Sequence, residues 1–408
     1  MHQPAAHLLD SKSSWTIAVV VLVVLAMSFG APWMAAVALK DIAAEVGGAR
    51  SVPAFALALV WFGSGFGGIG MGFMAERVGV RWTVAFGAVM MAVGLGLATF
   101  GPTWPLYIGF GLFVGLIGLS GINAPLYVYT SKWFERRRGS ALALISSGTY
   151  IAGGLWPPIF ERVIAYGGWR QAMLWFAVLE VAVIVPLAAI FLRRPPDLAT
   201  IGWRRLAADA PERVLGWPPN LVFALLSAGV FMCCVPMAMP QTHLVAFCSD
   251  IGISPAHGAA MLSVLLGSAF VSRQIWGAIA DRVGGLRTIL VGSVTQAVAM
   301  TTFMLTQDEA GLFAVSAAFG LGFSGMIPAN VLAVREWFPP AEASWRIPTL
   351  LLCGGSGMAV GGWLAGVLYD RFGYYGPAFA AGIAVNLLNL AIILVLVGRQ
   401  RLVAARAY

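Results

Sequence analysis

Residues 271–288 read VSRQIWGAIADRVGGLRT, an arginine inside an apolar run followed by a charged turn. Eight residues separate Arg273 from Asp281, so in a helix the guanidinium starts about 12 Å inside the end. A permanent cation at that depth in hydrocarbon costs at least about 2.5–3.5 kcal/mol, so it should face protein or a water-filled cavity. Guanidinium presents a planar fork that matches a carboxylate with two parallel hydrogen bonds. The competing readings are snorkelling past Gly277 to the membrane surface, or a permanent pair with an internal acid. Around this cation stand other polar candidates. Asn123 and Tyr127 lie one turn apart and can hydrogen-bond an anion's remaining oxygens. Tyr150, in SSGTYIAGG, needs a polar partner for its phenol. Asn330 follows Pro328, and Trp33 with Phe29 could form an aromatic wall. For each of these, helix–helix packing is the alternative. Glu180, nine residues after Gln171 and so about 14 Å deep, is the sole acid within an apolar run. It reads as a neutral structural acid or a proton carrier. His243, near the outer end of its helix, could sense pH or gate entry, or be an interfacial polar residue.

Stepping from these residues to the elements that carry them, the chain of 408 residues is 60% hydrophobic and 10% charged, far below the roughly 25% charged of a soluble domain. It is a membrane protein in contact with lipid. The net charge of +8 lies in short loops between apolar runs, where it sets topology rather than binding nucleic acid. No cleavable leader is expected, because the run from Trp15 is long enough to span. Cys233, Cys234, Cys248 and Cys353 have no metal-ligand spacing and read as small packing residues. No G-x-x-x-x-G-K-[ST] occurs, and no catalytic constellation emerges. Neither an enzyme, an ATP-driven pump nor a cofactor is expected.

Twelve apolar segments stand at 15–39, 51–74, 82–100, 105–130, 140–160, 171–192, 220–245, 255–280, 288–305, 311–334, 347–369 and 377–397. Each is near the roughly twenty residues that cross a bilayer, and strand alternation is absent, so all are predicted helices. Loops on the terminal side hold nineteen basic residues against five opposite, which places both termini in the cytoplasm. The polar stretch 193–217 reads as a cytoplasmic linker between two six-helix halves, 1–192 and 218–408. The halves repeat: Gly72 aligns with Gly277, Trp133 with Trp337 and Tyr166 with Phe372, at offsets of 205, 204 and 206 residues. A parallel duplication with its site between the halves is a transporter plan.

With these residues in view, the chain resembles the major facilitator superfamily, and the resemblance covers essentially all of it. The family signature between the second and third helices, G-x-L-a-D-r-x-G-r-r, stands here as Gly72, Met74, Ala75, Glu76, Arg77, Gly79 and Arg81. Its second copy is Gly277, Ala280, Asp281, Arg282, Gly284 and Arg287. The glycines would let helices end and neighbours approach. The acids, Glu76 with Arg77 or Arg81 and Asp281 with Arg282 or Arg287, would form a cytoplasmic latch; an ordinary topology-setting turn is the alternative. A narrower resemblance is to bacterial relatives of the monocarboxylate and oxalate–formate carriers. WFERRRGSALALISSG from Trp133, YGGWRQAM from Tyr166, Pro32, Lys40, Asp41 and the arginine ahead of GAIADRVG carry it. It implies that Arg273 binds a substrate carboxylate and that Asn123 stands at a polar or tyrosine position of the carriers. Two departures matter. Trp33 and Ala269 replace the lysine and aspartate of eukaryotic proton-linked members, and residues 350–365 lack the oxalate exchanger's second cation. One cation suggests one carboxylate in the cargo.

The expected function is therefore secondary transport of a small organic monocarboxylate across a bacterial inner membrane by alternating access, coupled to protons or to exchange, by a monomer. The alternative is a drug exporter, for which Phe231, Met232, Met237 and Met239 would supply an apolar lining and Arg273 would be structural.

Overall fold

The computed structural model describes residues 9–134, 137–193 and 213–406. Among them no named strand occurs, and sixteen α-helices and one π-helix carry the chain. Eleven runs are long and apolar enough to cross a membrane. One of them, Ser140–Phe191, is bent at Gly168, whose φ of 76° and ψ of 166° are non-helical. Divided there, the eleven runs are twelve spans, the number the apolar segments predict.

The chain forms two compact units, Met1–Ile201 and Gly202–Tyr408. Most of the expected linker, 194–212, lies outside the described residues.

In the first unit the opening span is made of α1, Lys12–Ser28, and α2, Gly30–Val37, broken at Phe29. Pro32 explains the break, because it has no N–H for the carbonyl of Ser28 and its ring crowds that turn. The short α3, Leu39–Ala44, follows, then α4, Ser51–Val78, and α5, Val80–Ala98. The fourth span is α6, Trp104–Ile108, a π-helical stretch, Gly109–Leu119, and α7, Ser120–Ser131. A Cβ built on Gly67 of α4 would stand 1.9 Å from the Leu116 carbonyl, so only glycine admits this helix pair at its observed separation. Phe66, Ile69 and Phe73, on the opposite stripe of α4, are more than half exposed, as suits a face toward lipid acyl chains. The unit closes with α8, Arg138–Ser146, and α9, Gly148–Phe191.

The second unit runs α10, Pro219–Asp250; α11, Pro255–Val283; α12, Gly285–Leu305; α13, Glu309–Phe323; α14, Met326–Trp337; α15, Pro340–Phe372; and α16, Gly376–Arg406. Its fourth span is broken between α13 and α14 at Ser324 and Gly325, four residues before Pro328. Here α10 lies against α15 with glycine again at the contact: a Cβ on Gly361 would meet the Val235 carbonyl at 2.1 Å.

The turns after α4 and α11 are built alike. Gly79 has φ 98° and ψ 146°, and Gly284 has φ 84° and ψ 160°, a region that only glycine occupies without strain. Both helices end on signature glycines, Gly79 and Gly284; a Cβ on the other two, Gly72 and Gly277, meets nothing within 4 Å.

Candidate functional site

Arg273 lies in α11, ten residues before its last residue Val283, which is about 15 Å along the axis. Its side chain is half-buried. The residues beside it explain how its direction is set. Ser272 Oγ donates to the Leu321 carbonyl at 2.5 Å, and Trp276 Nε1 donates to the same oxygen at 2.7 Å. Ser324 Oγ adds a 3.1 Å bond to Ser272 Oγ. Leu321 is in the last turn of α13, where carbonyls lose their in-helix partners, so the break in the fourth span creates the acceptor that α11 uses. Residues 272 and 276 are one turn apart and turn one face of α11 to α13. Arg273 is thereby held off that contact, roughly 100° round the helix.

Asn330, on α14, is 1% exposed. Its Nδ2 donates to the Met326 carbonyl at 2.9 Å, while Oδ1 has no partner among the described residues. A carbonyl only accepts, so the amide orientation is decided and the atom left over is an acceptor. Asn330 therefore suits a hydroxyl or another N–H, not an anion's oxygen. The helices α11 and α14 that carry Arg273 and Asn330 touch within the second unit.

The other candidates belong to the first unit. Trp33, on α2, is buried, and its Nε1 is without a hydrogen-bond partner among the described residues. That N–H is a donor of the kind a carboxylate needs. Phe29 faces Trp61 rather than forming a wall with Trp33 alone, their ring centroids 6.5 Å apart. Asn123, on α7, also has a buried Oδ1 without a partner. Tyr127 is half-buried one turn along, and Tyr150 on α9 is 8% exposed. Pro125 lies between Asn123 and Tyr127 and removes one helix N–H there. Trp33 and Tyr150 sit on packed helices, α2 and α9; Asn123 and Tyr127 sit on α7, which packs on α1, α4 and α5.

Of the two expected latches, the first is not closed by an ion pair among the described residues. Glu76 and Arg77 are exposed, and among the described residues no ion pair joins Glu76 to Arg77 or Arg81. Arg81 Nε instead donates to the Leu192 carbonyl at 3.4 Å, and Tyr129 Oη donates to the Arg193 carbonyl at 2.9 Å. Both satisfy acceptors that α9 leaves open at its end. In the second copy Arg282 and Arg287 are exposed, and the Asp281 side chain lies outside the described residues. The acid that acts there is Glu336, whose Oε1 accepts from the Gly285 N–H at 3.2 Å and so caps the N-terminus of α12. Sequence reading missed Glu336 because nothing in the signature announces it; it comes from α14, 51 residues away.

Arg346 was also missed, being read as one more loop cation. It is 2% exposed, with Nη2 2.7 Å from Glu342 Oε2 and 2.9 Å from Asn220 Oδ1. The rings of Phe338, Trp345 and Phe223 lie 4.2, 4.4 and 4.8 Å from its guanidinium carbon. This cage ties the starts of α10 and α15, and the Trp-Arg pair with Phe338 seven residues before was its only sequence signal. Glu180 is fully buried on α9, and neither of its oxygens has a hydrogen-bond partner among the described residues. No cluster of three or more metal-ligating side chains occurs among the described residues.

Two units, each with six helical spans among the described residues and a matching glycine turn, define the class: a duplicated membrane carrier. The chain belongs to the Major Facilitator Superfamily, whose family profile matches residues 21–306 and 221–406. It is 26% identical over 370 residues to a Bos taurus protein named monocarboxylate transporter 13, covering 88% of this chain and 82% of that one. It is 24% identical over 330 residues to an agnestins efflux protein of Paecilomyces divaricatus, covering 79% and 73%. Among solved structures, a bacterial homologue of the human lysosomal transporter Spinster, inward-facing and occupied, matches with a TM-score of 0.70 over 98% of both chains at 14% identity. The nucleoside transporter NupG matches with a TM-score of 0.71 at 13% identity, over 93% of this chain and 99% of that one. These structures share the fold. The chain is a transporter and not an enzyme.

Proposed function

We propose that the protein is a secondary carrier of a small organic monocarboxylate, and that Arg273 meets the cargo's carboxylate. The observation that carries this reading is a guanidinium about 15 Å inside α11, turned away from the α13 contact by the bonds of Ser272 and Trp276. The relative named a monocarboxylate transporter supports the same class of cargo. Trp33 Nε1, Asn123, Tyr127 and Tyr150 are the first unit's candidate ligands, and Asn330 offers an acceptor to a hydroxyl on the cargo. Transport is by alternating access, the cargo's carboxylate meeting the Arg273 guanidinium in one state and leaving it in another. Exchange of anions, or movement of an anion with a proton, would each serve such a carrier, in a bacterial inner membrane with both termini cytoplasmic. Export of an amphipathic compound is the second reading, favoured by the fungal efflux relative.

Uptake of labelled lactate, pyruvate, formate, oxalate and an aromatic acid into proteoliposomes, with and without a pH gradient, tests this. Wild type should move a monoanion, and Arg273→Lys should lower kcat/KM at least about tenfold, or about 1.4 kcal/mol, because charge remains but the fork is gone. Unchanged kinetics in Arg273→Lys would remove the residue from the site.

A further inference from the structure

His243 of α10 lies seven residues before Asp250, the helix's last residue, and is 1% exposed. An interfacial position was one expectation; the imidazole is instead inside the second unit, where three helices meet. Its Nε2 is 2.8 Å from the Gly362 carbonyl of α15, and its Nδ1 is 2.9 Å from Tyr375 Oη. Tyr375 stands in the turn between α15 and α16, three residues after Phe372 ends α15.

These bonds decide the tautomer. A carbonyl only accepts, so Nε2 carries the ring hydrogen and a further proton has one place to bind, Nδ1. With Nδ1 bare, the phenol of Tyr375 donates to it. With Nδ1 protonated, the phenol oxygen must accept and its hydrogen must turn elsewhere. Tyr375 is 3% exposed, and the rings of Tyr369, Phe247 and Phe379 lie 4.7, 5.9 and 6.2 Å from its own, so that turn takes place inside a packed ring cluster. Titratable or charged side chains at this end of the helices include Cys248 and Asp250 on α10, Tyr369, Asp370 and Arg371 on α15, Tyr374 and Tyr375 in the turn, and Asp308 capping α13. His257 of α11 is bonded to Glu309 of α13 at 2.8 Å, and both are exposed. Gly362 lets α15 come close: a Cβ there would stand 2.9 Å from Thr242 Oγ1.

We propose that His243 and Tyr375 form a proton-binding site, filled and emptied at Nδ1, whose protonation loosens the hold of α10 on the α15–α16 turn. The first unit joins the matching elements with other chemistry. There Glu45, just past α3, accepts from Trp169 and Arg170 beside the Gly168 bend. The first unit's join is a carboxylate with a guanidinium and an indole, whereas the second unit's is an imidazole with a phenol, and only the latter offers a bare ring nitrogen to a proton. The inference is independent of the cargo.

The test uses the full chain in lipid nanodiscs, without substrate. Exchange of the imidazole C2–H of His243, read by mass spectrometry between about pH 5 and 9, should show one inflection, displaced in Tyr375→Phe. Exposed His257, in a separate peptide, is the internal comparison. Amide exchange in peptides spanning 240–250 and 370–380, corrected for its intrinsic pH dependence, should rise severalfold on the acid side of that inflection. His243→Asn retains an acceptor near the Nδ1 position but does not titrate, and its amide exchange should be flat. Absence of an inflection, an inflection with unaltered amide exchange, or wild-type behaviour in His243→Asn would each overturn the proposal. If His243→Asn does not fold, wild type and Tyr375→Phe decide alone. No readout depends on transport, so failure here is separable from failure of the carrier reading.

Discussion

Side chains in this protein earn their positions through what the backbone leaves unsatisfied. Leu321 loses its helix partner at the end of α13, and Ser272 and Trp276 take its carbonyl, which leaves Arg273 about 100° round α11 from that contact. Leu192 and Arg193 follow the last residue of α9, and Arg81 and Tyr129 take their carbonyls. At the opposite end of the first unit, Glu45 receives Arg170 Nη2 at 2.6 Å and Trp169 Nε1 at 2.9 Å, while Arg170 Nε donates to the Thr99 carbonyl at 2.8 Å. The hydrogen bonds from Arg170 are the largest of the effects that hold the Glu45 carboxyl below its ordinary value of 4.5. A carboxyl depressed in the folded state adds stability above its unfolded value and gives that stability up as pH falls through the folded one. The Tm of wild type should therefore decline on acidification from about pH 5 downward, and Arg170→Gln should reduce that decline while lowering Tm at neutral pH. Equal acid profiles for the two proteins would show that this pair does not contribute.

At the scale of elements, glycine does two separable jobs. In the middle of spans, at Gly67 and Gly361, it lets one backbone touch another. At the turns after α4 and α11, Gly79 and Gly284 hold positive φ where a side chain is strained by about 1–3 kcal/mol. Gly79→Ala and Gly284→Ala should each lower Tm, whereas Gly72→Ala and Gly277→Ala, with open space around them, should leave Tm within the scatter of surface substitutions. A transport defect in Gly72→Ala with unchanged Tm would locate a close approach in another state of the cycle. Thermal unfolding of the four variants in one detergent, beside proteoliposome uptake, makes the comparison. The spans themselves were readable because lipid forces every backbone group into a helix; their breaks at Phe29 and Gly325 were readable only as Pro32 and Pro328 nearby.

For the molecule as a whole, two units of repeated design imply an even number of crossings and termini on one side of the membrane. The excess of basic residues on that side predicts the cytoplasm. A C-terminal green fluorescent protein fusion should fluoresce, and alkaline phosphatase fused after the turn at residue 250 should be active; the reverse pattern would invert the topology. The duplication is visible in sequence as offsets of 204 to 206 residues, but the units are not copies in detail. Glu45 with Trp169 and Arg170 in one, and His243 with Tyr375 in the other, make the same join with a carboxylate and with an imidazole.

Composition, periodicity and repetition were enough to establish an all-helical carrier of twelve spans and to single out Arg273, because hydrophobic length and the cost of a buried cation are properties of the chain read locally. Whether Glu76 pairs, which acid caps α12, how Arg346 is caged and which nitrogen of His243 bears hydrogen were settled only by folding. Those facts depend on contacts between residues 51 to 132 positions apart, and a hydrogen bond of that kind is decided by where two helices meet rather than by the residues beside it.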